Sequence, residues 1–169
     1  MKSCVLFLLV ASSLALADPT EFPVHGFTIT QDVMLPVSPA RAFDLMTGDI
    51  SGWWDHHFAE HPKALYIEPK PGGGFFEIFD DAGHGVRHAV VTWADPGKHL
   101  RFEGPLGLAG RALTMVTTWD YAPVGDSTKI TCTVNLSGQI DADFAKVVEG
   151  VWHHFLVEQL QPWVAAHKN

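Results

Sequence analysis

His57-Phe58-Ala59-Glu60-His61 sets two histidines four residues apart around a glutamate. On one turn of helix that inverted zinc-protease pattern would present two imidazoles to a zinc ion and a carboxylate to its bound water. The chemistry needs the helical turn. Pro62 follows at once, the helix that would carry the motif is short, and no acidic ligand on a second helix comes soon after. His57 and His61 are therefore weak metal candidates, read as a surface or partly buried cluster, to which Asp55 and His56 add adventitious metal affinity. His84 and His88 have the same spacing, but Gly83 and Gly85 place the first in a turn and the second in a strand, where a spacing of four brings nothing together. His153 and His154 are neighbours on a helix and point roughly 100° apart. Each is better paired with a glutamate one turn away, Glu149 with His153 and His154 with Glu158. No metal and no cofactor is expected.

Other reaction chemistries find little support. Cys132 lies on the apolar register of its strand, where a cysteine packs as a small hydrophobe. No serine occupies a G-x-S-x-G elbow. Gly72-Gly73-Gly74 lacks the Lys-Ser/Thr of a phosphate loop and reads as a bend between strands. The glycine-spaced segment 104–110 reads equally as a gate over a cavity mouth or a plain hairpin connection.

What the sequence offers instead is aromatic surface: six Trp and eleven Phe, enough to line a large apolar pocket as well as fill a core. The candidate lining is Trp53, Trp54, Trp93, Phe102, Met115, Trp119, Trp152 and Phe155. The candidate polar anchors are Glu77, His88 or its neighbour Arg87, and Glu158. The inward register of 75–79 and 86–94 is open, because both registers hold apolar residues. Glu158 is also open. The helical wheel puts it between Val147 and Val151, so it either leans out to His154 or reaches the pocket as an anchor, acid or base.

The elements that must position these residues are separated by Gly, Pro and Asp. Met1-Lys2-Ser3 is a short basic start, followed by an apolar run from Cys4 to Leu14 and by Ala15-Leu16-Ala17, the pattern of a signal peptide cleaved after Ala17. The run is too short to span a bilayer. A periplasmic or secreted protein of residues 18–169, one domain, is expected, with no stable membrane insertion after processing. The net charge is −8 and becomes one unit more negative when Lys2 leaves, which argues against nucleic acid and anionic membranes as partners. Only Cys132 survives processing, so the domain must stand on its core without a disulfide; at this size it buries about 70% of its unfolded surface.

Residues 27–35 alternate as a first strand. Ser38-Pro39 caps and opens a short helix over 40–46, and 50–58 is predicted to form a second. Further strands are read at 64–68, 75–79, 86–94, 99–103, 113–121 and 130–136. A helix capped by Asp141 or Asp143 runs to Gln161, where Pro162 is expected to interrupt it. Its broad apolar face, with Phe144, Val148, Val151, Trp152 and Phe155, suits a concave partner. The fold class is α+β: a helix grip, with a curved antiparallel sheet of about six or seven strands around a long C-terminal helix and two short helices after the first strand.

Taken in order, Leu35-Pro36-Val37-Ser38-Pro39-Ala40-Arg41-Ala42-Phe43, Trp53-Trp54, Lys70 through Glu77, His88 through Trp93 and Val151-Trp152-His153-His154-Phe155-Leu156 resemble the SRPBCC (START and birch-pollen-allergen-like) superfamily. Within it, the chain is similar to the branch related to the activator of the heat-shock protein 90 ATPase. The resemblance spans nearly all of residues 18–169 and implies a cavity between sheet and helix. The superfamily includes lipid and hormone binders, polyketide cyclase-like enzymes and a co-chaperone domain, and the fold alone does not choose among them.

Three functions follow as expectations: non-catalytic binding or transport of a small hydrophobic, aromatic or lipid-like molecule; a cyclase- or hydrolase-like reaction using a cavity carboxylate and a histidine; and a protein-partner module. The sequence does not specify the oligomeric state. Expressed in an exporting bacterium, the protein is expected to be recovered soluble with Asp18 at its N-terminus. An intact Met1 terminus in the membrane fraction, read by mass spectrometry, would overturn the export assignment.

Overall fold

The computed structural model describes residues 18–167; the expected leader, 1–17, lies outside them. Alternating strands close into one antiparallel sheet of eight: β1 (His25–Leu35), β2 (Gly48–Asp49), β3 (Ala64–Ile67), β4 (Gly74–Ile78), β5 (Gly85–Asp95), β6 (His99–Glu103), β7 (Leu113–Val124) and β8 (Ser127–Gly138). Their spatial order is β1-β8-β7-β6-β5-β4-β3-β2. β1 pairs with β8, so the chain crosses the whole sheet once, from β1 through a helix to β2 on the far edge; every later connection joins neighbours, as short turns between antiparallel strands allow. The period-two pattern holds in the long strands. Met115, Trp119 and Tyr121 of β7 and Ile130, Cys132, Val134 and Leu136 of β8 all face the core. The fold is the expected helix grip, with the short edge strand β2 as an addition.

Helix α1 (Pro39–Met46) starts as read, its Ser38 side chain accepting a hydrogen bond from the Arg41 amide. The second short helix does not form. The Asp49 carboxylate accepts from the amide and hydroxyl of Ser51, and the amides of Trp53 and Trp54 both donate to the Ile50 carbonyl, which closes a single turn. The chain beyond is irregular, because the amides of Phe58 and Ala59 are taken by a side chain of the sheet. A helix would have used those donors internally.

The C-terminal helix is longer than expected and is not broken by Pro162. It consists of α2 (Ala142–His153), a π-helical stretch (His154–Leu160) and α3 (Gln161–Ala166). Asp141 is the cap, its carboxylate accepting from the Phe144 amide at 2.8 Å. Across the π stretch the bonds lengthen to i→i−5, ending with the Gln161 amide on the Leu156 carbonyl. The missing Pro162 donor falls just past this shift, so a widened turn absorbs what would kink a regular helix. Polar ties hold the helix to the β1 edge: Gln31 Nε2 donates to the Glu149 carbonyl and Gln161 Nε2 to the Met34 carbonyl. Gly52 is needed for close approach, since a Cβ there would overlap the Trp163 indole. Among the described residues, no helix is long and apolar enough to cross a membrane.

Strand β5 departs from simple alternation twice. Opposite β4, Phe75 pairs with Ala89 and Phe76 with Arg87, leaving His88 as the extra residue of a bulge. Opposite β6, Val91 pairs with Phe102 and Trp93 with Arg101, leaving Thr92 extra. Each bulge reverses which side chains face inward. Gly104, at the end of β6, lies against the first: a Cβ there would overlap the His88 carbonyl and the Ala89 backbone. Gly104→Ala is therefore expected to cost about 1–3 kcal/mol, whereas Gly107→Ala, with open space around it, should change stability by about 0.5 kcal/mol or less. Urea denaturation of the two variants checks this; equal effects would show that the close approach does not matter.

Candidate functional site

The apolar face of the C-terminal helix does not seal completely against the sheet. A cavity of about 310 Å³ remains between them. The helix contributes Phe144, Val147, Val148, Val151, Trp152 and Phe155, and the sheet contributes Phe75, His88 and Met115. The rest of the wall comes from two connections: Trp54 and residues 56–58 on one side, and residues 105–108 on the other. The second is a 3₁₀ turn (Leu106–Leu108) pinned by the buried side chain of Leu106. Trp54 organises the wall. It stacks on Phe155 with ring centroids 3.9 Å apart and meets Phe75 and Trp152 edge-on. The wall is apolar except for its histidines.

His88 reaches the cavity because of the first bulge. With Ala89 and Val91 inward, unbroken alternation would turn residue 88 to solvent; the extra residue turns it in, and it is buried. Its Nε2 lies 2.9 Å from Glu77 Oε2, and its Nδ1 has no partner among the described residues. The rings of Phe58 and Phe75 lie against the imidazole at 5.3 and 5.2 Å.

Glu77 is fully buried behind His88. Its Oε1 accepts from the amides of Phe58 and Ala59, each at 2.8 Å. Burial by itself would raise its pKa; the Ala59 and Phe58 amides and then His88 outweigh burial and hold the carboxyl below its ordinary value. An ionised Glu77 places a proton on His88 Nε2, and in a neutral imidazole Nδ1 is then the acceptor.

The sequence-derived candidates divide into three groups. Trp54, His88, Met115, Trp152 and Phe155 line the cavity. Trp53, Phe102 and Trp119 are buried one layer behind it, in the core, and Glu77 acts through His88. Two candidates lie elsewhere. Trp93 is turned outward by the Thr92 bulge, packs beside His99 and under Arg101, and is 48% exposed. Glu158 is exposed on the outer side of the helix and pairs with His154 Nδ1 at 2.9 Å. Arg87, on the other side of the bulge, is exposed. His57 lines the mouth while His61 is exposed, on a segment with no helix to join them. The sequence reading missed Phe75 and the cavity side of Phe58, for which there was no local signal. Phe144, Val148 and Val151 were legible as the helix stripe. Cys132 is in the core, and burial pushes its thiol up to about 12, far from nucleophilic range.

A sequence model of polyketide cyclase/dehydrase and lipid transport proteins matches residues 26–161. The chain belongs to this family, within the SRPBCC superfamily. No curated protein matches it. Among solved structures, it is similar to an uncharacterized protein from Rhizobium leguminosarum, with 17% identity, a TM-score of 0.64, and coverage of 87% of this chain and 99% of the other. It is also similar to Aha1 of Colwellia psychrerythraea, with 17% identity, a TM-score of 0.58, and coverage of 85% and 99%. Ara h 8.0201 gives 14% identity, a TM-score of 0.59, and coverage of 85% and 99%. At these identities the likeness is one of fold. Membership in the family marks the chain as a ligand-binding domain in the general sense.

Glu77→Ala would leave two amides and an imidazole nitrogen unpaired in the interior, at an expected loss of about 3 kcal/mol. Glu77→Gln keeps the shape and removes the charge. The folded carboxyl is depressed, so its stabilisation is complete above the ordinary value of 4.5 and is lost as pH falls through the lower folded value. The stability gap between wild type and Glu77→Gln should therefore be full at neutral pH and close on acidification. Urea unfolding across that range measures it, and a gap independent of pH would contradict an ionised Glu77.

Proposed function

We propose that the protein is an exported, non-catalytic binder of a small apolar or aromatic molecule carrying one hydrogen-bond donor, such as a hydroxyl. The observation that carries this reading is His88: a buried imidazole in the wall of an otherwise apolar cavity, with Nδ1 unpartnered and Nε2 fixed by Glu77. A buried nitrogen without a partner carries a cost that a bound hydroxyl would relieve. The cavity is at the small end of the range for ligand sites, which suits a one- or two-ring molecule better than a long lipid. Phe58 lies against His88 and is half exposed on its connection, so it is the side chain a ligand displaces on entry. Export rests on the leader pattern of residues 1–17, and it sets the domain apart from cytosolic ATPases, which weakens the co-chaperone alternative.

One observation favours a second reading. A carboxylate behind an imidazole is also the arrangement of a general base, and it fits a cyclase-like reaction in the same cavity. Against this, both Phe rings flank the imidazole, and Glu77 is saturated by backbone amides, as a positioning group is.

An environment-sensitive apolar dye is expected to bind at about one equivalent, and native mass spectrometry with organic extraction of protein from its own host should recover a stoichiometric small molecule. Val151→Trp, which fills the cavity from the helix, should weaken dye binding by about tenfold or more while unfolding stays cooperative. Glu77→Gln forces the proton onto His88 Nδ1, and so should reduce affinity for hydroxyl donors in favour of acceptors. Absence of dye binding to folded protein would sink the cavity reading; turnover of a polyketide-like substrate that disappears in Glu77→Gln would establish the enzyme instead.

A further inference from the structure

We infer that Asp55, His56 and His154 form a divalent transition-metal site at the rim of the cavity, with zinc the best match. The irregular chain after Trp54 and the start of the π-helical stretch bring together three residues whose ligand atoms all lie within 4.8 Å of one another. Asp55 Oδ1 is 2.8 Å from His56 Nδ1 and its Oδ2 is 2.7 Å from His154 Nε2. The two imidazole centroids are 5.4 Å apart.

Two imidazoles and a carboxylate are a donor set of borderline softness suited to zinc. In a tetrahedral site with bonds of about 2.0–2.1 Å, neighbouring donors sit about 3.3 Å apart. The carboxylate therefore backs away from each imidazole by about half an ångström while the more distant pair closes. These are side-chain movements in groups that solvent reaches: Asp55 and His56 are exposed and His154 is part-exposed.

A second feature sets this cluster apart from ordinary surface pairs. In the metal-free protein both nitrogens of His154 donate to carboxylates, Nδ1 to Glu158 at 2.9 Å and Nε2 to Asp55 at 2.7 Å; zinc binding releases the Nε2 proton to solvent, while Glu158 keeps Nδ1 and orients the ring. Metal-binding histidines characteristically have this outer partner, which fixes the tautomer and raises ligand basicity. Asp55 and Glu158 together also balance the charge of a divalent ion, in a chain whose net charge of −8 favours cations generally. Three protein donors leave a fourth position for water or for a polar group of a bound molecule. His56 is itself part of the cavity wall and packs edge-on against Phe155, so the ion would border the ligand space.

The test is titration of the purified protein with zinc by calorimetry and with cobalt(II) by its visible absorption. One saturable equivalent is expected, with cobalt bands of low coordination number. His154→Ala and Asp55→Asn should lower zinc affinity about tenfold or more, and Glu158→Gln by a smaller but measurable factor. His57→Ala, His61→Ala and His153→Ala should leave it unchanged. Thermal unfolding in the presence of a chelator confirms that the variants are folded, and zinc should raise the unfolding temperature of wild type but not of His154→Ala. Non-saturable binding, affinity indifferent to His154→Ala and Asp55→Asn, or loss of binding in His57→Ala or His61→Ala would each overturn the assignment in favour of adventitious histidine binding.

Discussion

A carboxylate with no access to water has to be given donors by the protein, and the arrangement around Glu77 follows from that requirement. Two come from the backbone of Phe58 and Ala59 and a third from His88. Those bonds do more than keep a charge in the interior. They pull the segment after Trp54 onto β4, so that it cannot be helical, and so build one wall of the cavity. They hold a proton on His88 Nε2, so that in a neutral ring the polar point in that wall is an acceptor. They also carry the chain past Asp55 and His56 at the place where His154 comes down from the helix. Cavity, anchor and rim cluster all depend on one buried negative charge and its three donors.

Packing works on the same region from the other side. Trp54 is wedged among Phe75, Trp152 and Phe155, which joins the loop, the sheet and the C-terminal helix in one aromatic contact. Gly52 lets the turn before it touch Trp163. The polar network and the aromatic cluster therefore hold the same stretch of chain, one from β4 and one from the helix. The remaining empty volume lies between helix and sheet, lined by Val148 and Val151 on one side and Met115 and Phe75 on the other. This constrains function: much of the space is bounded by packed side chains, while Phe58 is among the exposed members of the wall.

Long, regular patterns were legible in the sequence. The alternations of β7 and β8, the Ser38 and Asp141 caps, the apolar stripe of the C-terminal helix and the core position of Cys132 each follow from local periodicity or local hydrogen bonding. The resemblance carried by the Trp53-Trp54, Lys70–Glu77 and Val151–Leu156 segments placed them in a helix grip, and the family match agrees. Five of the cavity candidates line the space, and others lie one layer behind. Trp93 and the absent second helix depart from expectation through non-local events, and the helix passes Pro162 on a shift of register; Glu158 took the outward of its two open positions, in a local pair with His154. A bulge or a side-chain capture of backbone amides is specified by partners distant in sequence.

The sequence by itself determined the architecture, the acidic surface, the core alternation and the wealth of aromatic groups, because these depend on which residue types recur at which period. It also supplied every donor and acceptor the site uses. Only the tertiary structure decided their roles. One extra residue in β5 turned His88 inward and a second turned Trp93 outward, a choice the apolar content of both registers left open. Of the two positions open to Glu158, the structure has the outward one, paired with His154. Asp55, His56 and His154 met because a loop denied its own hydrogen bonds was drawn under the helix. Periodicity is written locally in the chain, whereas the parity of a bulged strand and the meeting of distant side chains are settled only when the sheet closes on the helix.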